Sequence, residues 1–140
     1  MNDDKHLLIL SKLSLPAIKK KAKSKFQEWS RYRDKDDPCI SCGKTTAGQW
    51  DGGHYYKAEL YSTLIFNEVN CNKQCSYCND YLAGNLTGYR EGLINKYGQA
   101  EVESLDHLAR MDKLVTFKPK SHYYAEKFLY YKNKLKGEIE

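Results

Sequence analysis

Apolar residues recur at helical spacing in three separate parts of the chain. Ile18, Ala22, Phe26 and Trp29 stand four, four and three apart, which places them on one face of a helix. Pro16 suits its first turn, where a missing N–H is no loss, and Asp37-Pro38 closes it near Asp34, because the residue before a proline is pushed out of the helical region. Downstream, Tyr89, Leu93 and Tyr97 repeat every four residues up to Gly98, and Val102, Leu105, Leu108 and Ala109 form a second stripe. After Pro119, Ser121 offers an N-cap to a last helix whose apolar side is Tyr124, Phe128, Tyr131 and Leu135.

Between Cys39 and Asn79 the helical period disappears. Gly43, Gly48, Gly52 and Gly53 break the segment, and its apolar residues come in short runs such as Tyr61-Ser62-Thr63-Leu64-Ile65-Phe66. This predicts two short antiparallel strands around Trp50 and Tyr55, with a loop on to Phe66. Residues 1–14 read as a polar tail and 15–140 as a single α+β domain: a basic helix over 15–36, a small core over 39–82 and a helical part over 86–140.

A chain of 140 residues, 41% hydrophobic and with twelve tyrosines, can bury one modest core. No stretch approaches the roughly 18 apolar residues of a membrane span, and the acidic start Asp3-Asp4 is unlike a signal peptide, so the expectation is a soluble, cytoplasmic protein. The formal charge of +5 is modest, but its distribution is not even. Lys19, Lys20, Lys21, Lys23, Lys25, Arg31 and Arg33 face the single acid Glu28, which suits a phosphate backbone and equally suits a solvated helix face.

In a reducing cytosol, five cysteines arranged as two Cys-x-x-Cys pairs and one extra favour a metal over disulfides. Cys39, Cys42, Cys75 and Cys78 make a soft quartet suited to tetrahedral Zn²⁺, each pair brought onto one ion by a tight turn. Four protein ligands would close the site, making the zinc structural; a redox pair or buried structural cysteines are the other readings. Cys71 reads as a small buried hydrophobe. Between the pairs, Trp50-Asp51-Gly52-Gly53-His54-Tyr55 sets a histidine in a glycine-loosened strand near a carboxylate, and Asn70 and Asn79 flank the second pair. A neutral histidine can take a proton from water attacking phosphorus, so His54 is the candidate general base, against a histidine satisfied in the core or serving as a zinc ligand.

This order resembles the HNH nucleases with a ββα-metal motif. Pro38-Cys39-Ile40-Ser41-Cys42-Gly43, Gln49-Trp50, Gly53-His54-Tyr55, Phe66-Asn67-Glu68, Lys73-Gln74-Cys75, Cys78-Asn79, Gly84-Asn85 and Tyr89-Arg90 are similar to the NinG (Rap) family of lambdoid phages, over about residues 18–135. The resemblance implies a zinc-stabilised ββα-metal core, treble-clef-like, flanked by helices at both ends. It further implies a phage or prophage endonuclease that cleaves branched DNA such as Holliday junctions and D-loops in the bacterial cytoplasm, with recombination proteins of phage or host as partners. By that similarity Asn79 would ligate the catalytic Mg²⁺ or Mn²⁺, and Asn70 would hydrogen-bond across the hairpin to fix the loop of His54. Many HNH proteins carry a metal ligand directly before the histidine; here Gly53 stands there, and Asp51 is the substitute, if a bend at Gly52-Gly53 turns it toward the ion; it reads equally as a turn residue.

Lys19, Lys20, Lys23, Arg31, Arg33, Lys57, Asn85 and Arg90 are the candidate DNA contacts, with packing or solvation as the plainer role for each. Two active centres on one junction would call for a homodimer. The rival function is a noncatalytic zinc module that binds nucleic acid through its basic helix.

Overall fold

The computed structural model describes residues 2–139. Helices α1 (Asp3–Ser11) and α2 (Leu15–Arg33) precede strand β1 (Trp50–His54), a 3₁₀ turn at Ser62–Leu64, strand β2 (Cys71–Cys75) and a π-helical turn at Tyr77–Tyr81. Helices α3 (Leu86–Tyr97), α4 (Gln99–Asp112) and α5 (Ser121–Ile139) complete the chain. The fold is α+β, with helices around a small two-stranded sheet.

Residues 3–11, expected within a polar tail, form a helix. Asn2 caps it by accepting from Lys5 N at 2.9 Å, Asp3 and Asp4 complement the positive end of the helix dipole, and Leu10 is buried with Ile18, Ala22, Tyr124, Ala125, Phe128 and Leu129. The apolar run Leu7-Leu8-Ile9-Leu10 had no helical gap to reveal it. The α2 stripe is buried as its spacing predicts, and its lower half, Phe26 and Trp29, meets Tyr131 and Leu135 of α5. The ring of Phe26 lies 4.7 Å from that of Tyr131 in an edge-on arrangement. Ser121 begins α5, and its hydroxyl donates to Leu13 O at 3.3 Å, tying α5 to the α1–α2 turn.

The sheet differs from expectation in its second strand. β1 pairs antiparallel not with a strand at Tyr55 but with Cys71–Cys75, in the register Trp50↔Cys75 to His54↔Cys71. All five residues of β2 are buried, although Asn72, Lys73 and Gln74 are polar. Protein covers both faces, so no polar–apolar alternation marks the strand.

The polar groups of β2 are satisfied by the end of α2 and by α3. Asp34, 2% exposed, accepts from Arg33 at 2.7 and 2.8 Å, from Lys96 at 2.8 Å and from the Lys73 N–H at 3.1 Å. Asn72 Oδ1 accepts from Lys96 and the Tyr97 hydroxyl, each at 2.8 Å, and Arg33 donates to the carbonyls of Glu68 and Cys71. Burial alone would raise the pKa of Asp34, but the hydrogen bonds and charges of Arg33 and Lys96 hold it below the usual carboxylate range. On α3, Gly88 and Gly92 form a bare stripe against the loop of Ile40 and Ser41: a Cβ would come within 2.1 Å of Ser41 O and 1.9 Å of Ile40 O.

Removing the Asp34 carboxylate takes from Arg33 and Lys96 their shared buried counter-ion and from the Lys73 N–H its acceptor. Asp34→Ala is expected to cost about 3–5 kcal/mol in urea unfolding, and a loss under about 1 kcal/mol would show that the network carries little of the fold.

Candidate functional site

The four paired cysteines converge although they come from three places. Cys39 and Cys42 lie on the loop after α2, Cys75 ends β2 and Cys78 stands in the π-helical turn. All four sulfurs lie within 4.8 Å of one another, and Cys42 Sγ is 3.8 Å from Cys75 Sγ. Tetrahedral thiolate coordination puts sulfurs about 3.8 Å apart, so the quartet could hold a zinc ion. The loop is shaped for it. Gly43 takes φ +75°, its N–H reaches Cys39 O at 2.9 Å, and Cys75 N–H donates to Cys39 Sγ at 3.3 Å. Burial raises the Cys39 thiol, but backbone N–H groups of Cys75, Cys42 and Ser41 bring it down to about 7. Cys78 is pushed up to about 12 by burial and by its neighbouring cysteines, a repulsion that a bound dication removes. Cys71 stands apart in the core with Phe26 and Trp29.

His54 ends β1 and is 8% exposed. Its ring lies 6.0 Å from that of Phe26, and Nε2 is 2.8 Å from Ile65 O. A carbonyl only accepts, so Nε2 carries the proton and Nδ1 presents its lone pair. Nδ1 has no hydrogen-bond partner among the described residues, yet the buried, unpartnered side-chain atom there is Gln74 Oε1, so Nδ1 keeps access to solvent. Burial lowers the pKa of His54; the Ile65 bond opposes this, Lys23 lowers it further, Glu59 raises it and Lys57 lowers it. The imidazole is therefore neutral at pH 7.

Asn70 holds the loop that follows. Its Oδ1 accepts from Tyr56 N at 2.8 Å, its Nδ2 donates to Tyr56 O and Leu64 O, and its carbonyl accepts from Tyr55 N. Asp51 and Asn79 meet: Asn79 Nδ2 donates to Asp51 Oδ2 at 3.0 Å, while Gln49 Nε2 takes Oδ1. They do not meet His54. The bend at Gly52-Gly53 is not formed, because β1 runs in regular register through all five residues. Three steps along a strand carry Asp51 and His54 to opposite faces, with Cα atoms about 10 Å apart. A cation held by Asp51 and Asn79 would therefore stand across the strand from the imidazole.

Gly53 has its own physical account. A Cβ there would stand 1.9 Å from Gln74 Oε1, so the place of a side chain is filled by the glutamine amide, whose Nε2 donates to Ser41 Oγ at 2.9 Å and Gly84 O at 2.7 Å. Neither Gln74 nor the Ile65 carbonyl could be singled out from sequence: one lies in a polar run, the other is a main-chain atom.

The expected DNA contacts divide. Lys19, Lys20 and Lys23 line a hollow of about 250 Å³ with Ala58, Glu59 and Ile65, on the His54 side of the molecule. Lys23 reaches Glu59 at 3.5 Å, and Arg31 is half-buried on the same helix. Three others are occupied within the fold. Arg33 belongs to the Asp34 network; Arg90 pairs with Asp106 at 3.1 and 2.9 Å; Asn85, at φ +41°, directs Nδ2 to Cys78 Sγ at 3.5 Å. Tyr55 and Tyr56 pack on each other and on Tyr89 and Tyr61, and Lys73 covers Trp50. No helix of the described residues is long and apolar enough to cross a membrane.

The family model described as bacteriophage lambda NinG protein matches residues 10–137. Among curated proteins, the chain is 45% identical over 87 residues to protein ninG of Escherichia phage 933W and of Escherichia phage lambda, and 44% identical to that of Salmonella phage P22. Each alignment covers 62% of this chain and 43% of the relative, so the chain matches less than half the length of those proteins. No solved structure matches it. The matched segment takes in both cysteine pairs, the strand of His54 and all the helices from α2 to α4, and on that span the chain belongs to the NinG family.

Proposed function

We propose that the protein is an HNH-type endonuclease that hydrolyses phosphodiester bonds in branched DNA, such as Holliday junctions and D-loops, in the cytoplasm of a bacterial host. The observation that carries this reading is His54: neutral, its Nε2–H fixed on the carbonyl of Ile65, a residue that also lines the hollow of Lys19, Lys20 and Lys23, and its Nδ1 without a hydrogen-bond partner among the described residues. In the reaction, a water oxygen bonds to phosphorus as its proton passes to His54 Nδ1. The bond from phosphorus to the 3′ oxygen breaks, leaving a 5′-phosphate and, after protonation from solvent, a 3′-hydroxyl. Asn70 positions the loop of His54, and Lys19, Lys20 and Lys23 hold backbone phosphates. Asp51 and Asn79 offer adjacent hard oxygens of the kind that take Mg²⁺ or Mn²⁺, and an ion they held would engage the DNA backbone from the face of β1 opposite His54. The zinc of the cysteine quartet is assigned a structural role, since four sulfurs leave no position open.

The placement of Asp51 away from His54 favours a second reading, a zinc module that binds DNA without cutting it. A labelled four-way junction, a D-loop and linear duplex, each incubated with protein in Mg²⁺ or Mn²⁺, separate the two. Cleavage of the branched substrates is expected, reduced at least about 100-fold in His54→Ala. Binding without cleavage in either metal establishes the module instead.

The pH profile follows from the environment of His54, which is buried, bonded to the Ile65 carbonyl and subject to the charges of Lys23, Glu59 and Lys57. Its folded pKa lies below the ordinary 6.5, so the single-turnover rate should be flat through neutral pH and fall only on the acid side of 6.5. Stability has the same sign: the unfolded chain binds the proton first, so folding free energy is lost as pH drops below 6.5 toward the folded value. A rate still climbing above pH 7 would remove His54 as the base.

Zinc analysis provides a further check. Purified protein should carry stoichiometric zinc, retained by Cys71→Ser and lost in Cys78→Ser, and chelation should abolish amide-exchange protection across residues 39–85. Undiminished protection after zinc removal contradicts the structural role.

A further inference from the structure

Two large rings stand in water on the zinc side of the molecule. Tyr77 and Tyr81 are 57% and 83% exposed, yet they lie on each other, with ring centroids 5.5 Å apart and planes inclined by 26°. With Ser76 they form one wall of a hollow of about 600 Å³, and Lys44, Thr46 and Gln49, from the loop that follows the first cysteine pair, form the other. The walls are tied to the fold. Gln49 O accepts from Ser76 N at 3.1 Å and from Ser76 Oγ at 3.2 Å, and Lys44 O accepts from Cys39 N at 2.8 Å. The loop and the turn therefore hold the hollow open without an occupant.

Its chemistry is that of a flat, uncharged ligand with polar edges. The Lys44 ammonium and the Asp80 carboxylate both line the hollow, and neither is bonded to the other or to any described residue. Their charges cancel, so the hollow does not suit a run of phosphates, but a donor and an acceptor stand free beside an aromatic wall. A nucleobase matches this, with apolar faces that stack on tyrosine and hydrogen-bonding edges. A protein anchor buries itself instead in a desolvated apolar pocket, which these polar walls do not provide. In duplex DNA the faces of each base are covered by its neighbours and its pairing edge by its partner, so the hollow fits an unpaired base. The same turn carries Asn79, which donates to Asp51 at 3.0 Å, and Gln49 Nε2 donates to Asp51 at 2.9 Å. The hollow thus adjoins the Asp51–Asn79 pair, on the side of β1 away from His54.

We propose that this hollow binds one unpaired nucleobase of branched DNA, stacked on the Tyr77–Tyr81 pair with its edges met by Lys44 and Asp80, and that the protein recognises a branch in this way. The proposal rests on the reading of branched DNA as the ligand, but not on cleavage. It gives the two faces of β1 separate tasks: the lysines of α2 hold backbone that any duplex offers, while the tyrosines take a base that only a branch or a single strand releases.

The test measures affinity for a D-loop and for linear duplex without added divalent ion, so the result does not depend on whether the protein cuts. Zinc content is checked on each preparation. Tyr81→Ala and Tyr81→Leu should each weaken D-loop binding at least about 10-fold with duplex affinity within about 2-fold, and Tyr81→Phe, which keeps the ring, should bind as wild type. A 5-iododeoxyuridine in the displaced strand beside the branch should photo-crosslink to Tyr77 or Tyr81, located by mass spectrometry. Wild-type affinity in Tyr81→Leu, an equal loss on duplex, or a concentration-dependent dimer that Tyr81→Ala abolishes overturns the proposal and leaves the DNA reading standing. A wild-type protein that binds the D-loop no better than duplex removes the branched-DNA reading together with it.

Discussion

A single buried carboxylate decides how the parts of this protein lie against one another. Asp34 ends α2 and draws in Arg33 from its own helix, Lys96 from α3 and the main chain of β2. A charge in the interior is tolerable only when every lone pair is answered, and the answers here come from three elements. The strand it touches is wholly enclosed: Cys71 and Cys75 pack into apolar clusters at its two ends, and its polar middle, Asn72 to Gln74, is held by hydrogen bonds that include those from α2 and α3. Once β2 is fixed, β1 pairs with it, and the side chains of β1 are assigned to their faces.

That assignment explains the division of the site. Alternation sends His54 toward α2 with its lysines and sends Asp51 toward the turn of Asn79, while Gln74 occupies the space beside Gly53. The cysteine quartet joins the loop after α2 to the end of β2 and to the π-helical turn, so it sets the spacing between the two faces rather than belonging to either.

Much of this was legible in the residues. The helical stripe of α2 and most of those of α3 and α4 are buried as their spacing requires, and the cysteine quartet forms as two evenly spaced pairs suggest. The second strand was hidden because a strand covered on both faces by polar partners has no two-residue period, and α1 because four apolar residues in a row carry no helical period. Sequence also overestimated the free cations. Arg33 and Arg90 look like phosphate contacts in a basic list, yet each has a carboxylate nearby in space, Asp34 and Asp106, and ion pairing of this kind depends on the fold. The geometry of His54 needed a main-chain carbonyl eleven positions away, which no side-chain pattern announces.

The close fit of Gly53 under the amide of Gln74 links two positions that stand on neighbouring strands. A side chain at 53 would require the amide of Gln74 to swing off its bonds to Ser41 and Gly84, so the two positions are coupled: reach added to the strand of the histidine is taken from the hydrogen bonds that close the wall beside it.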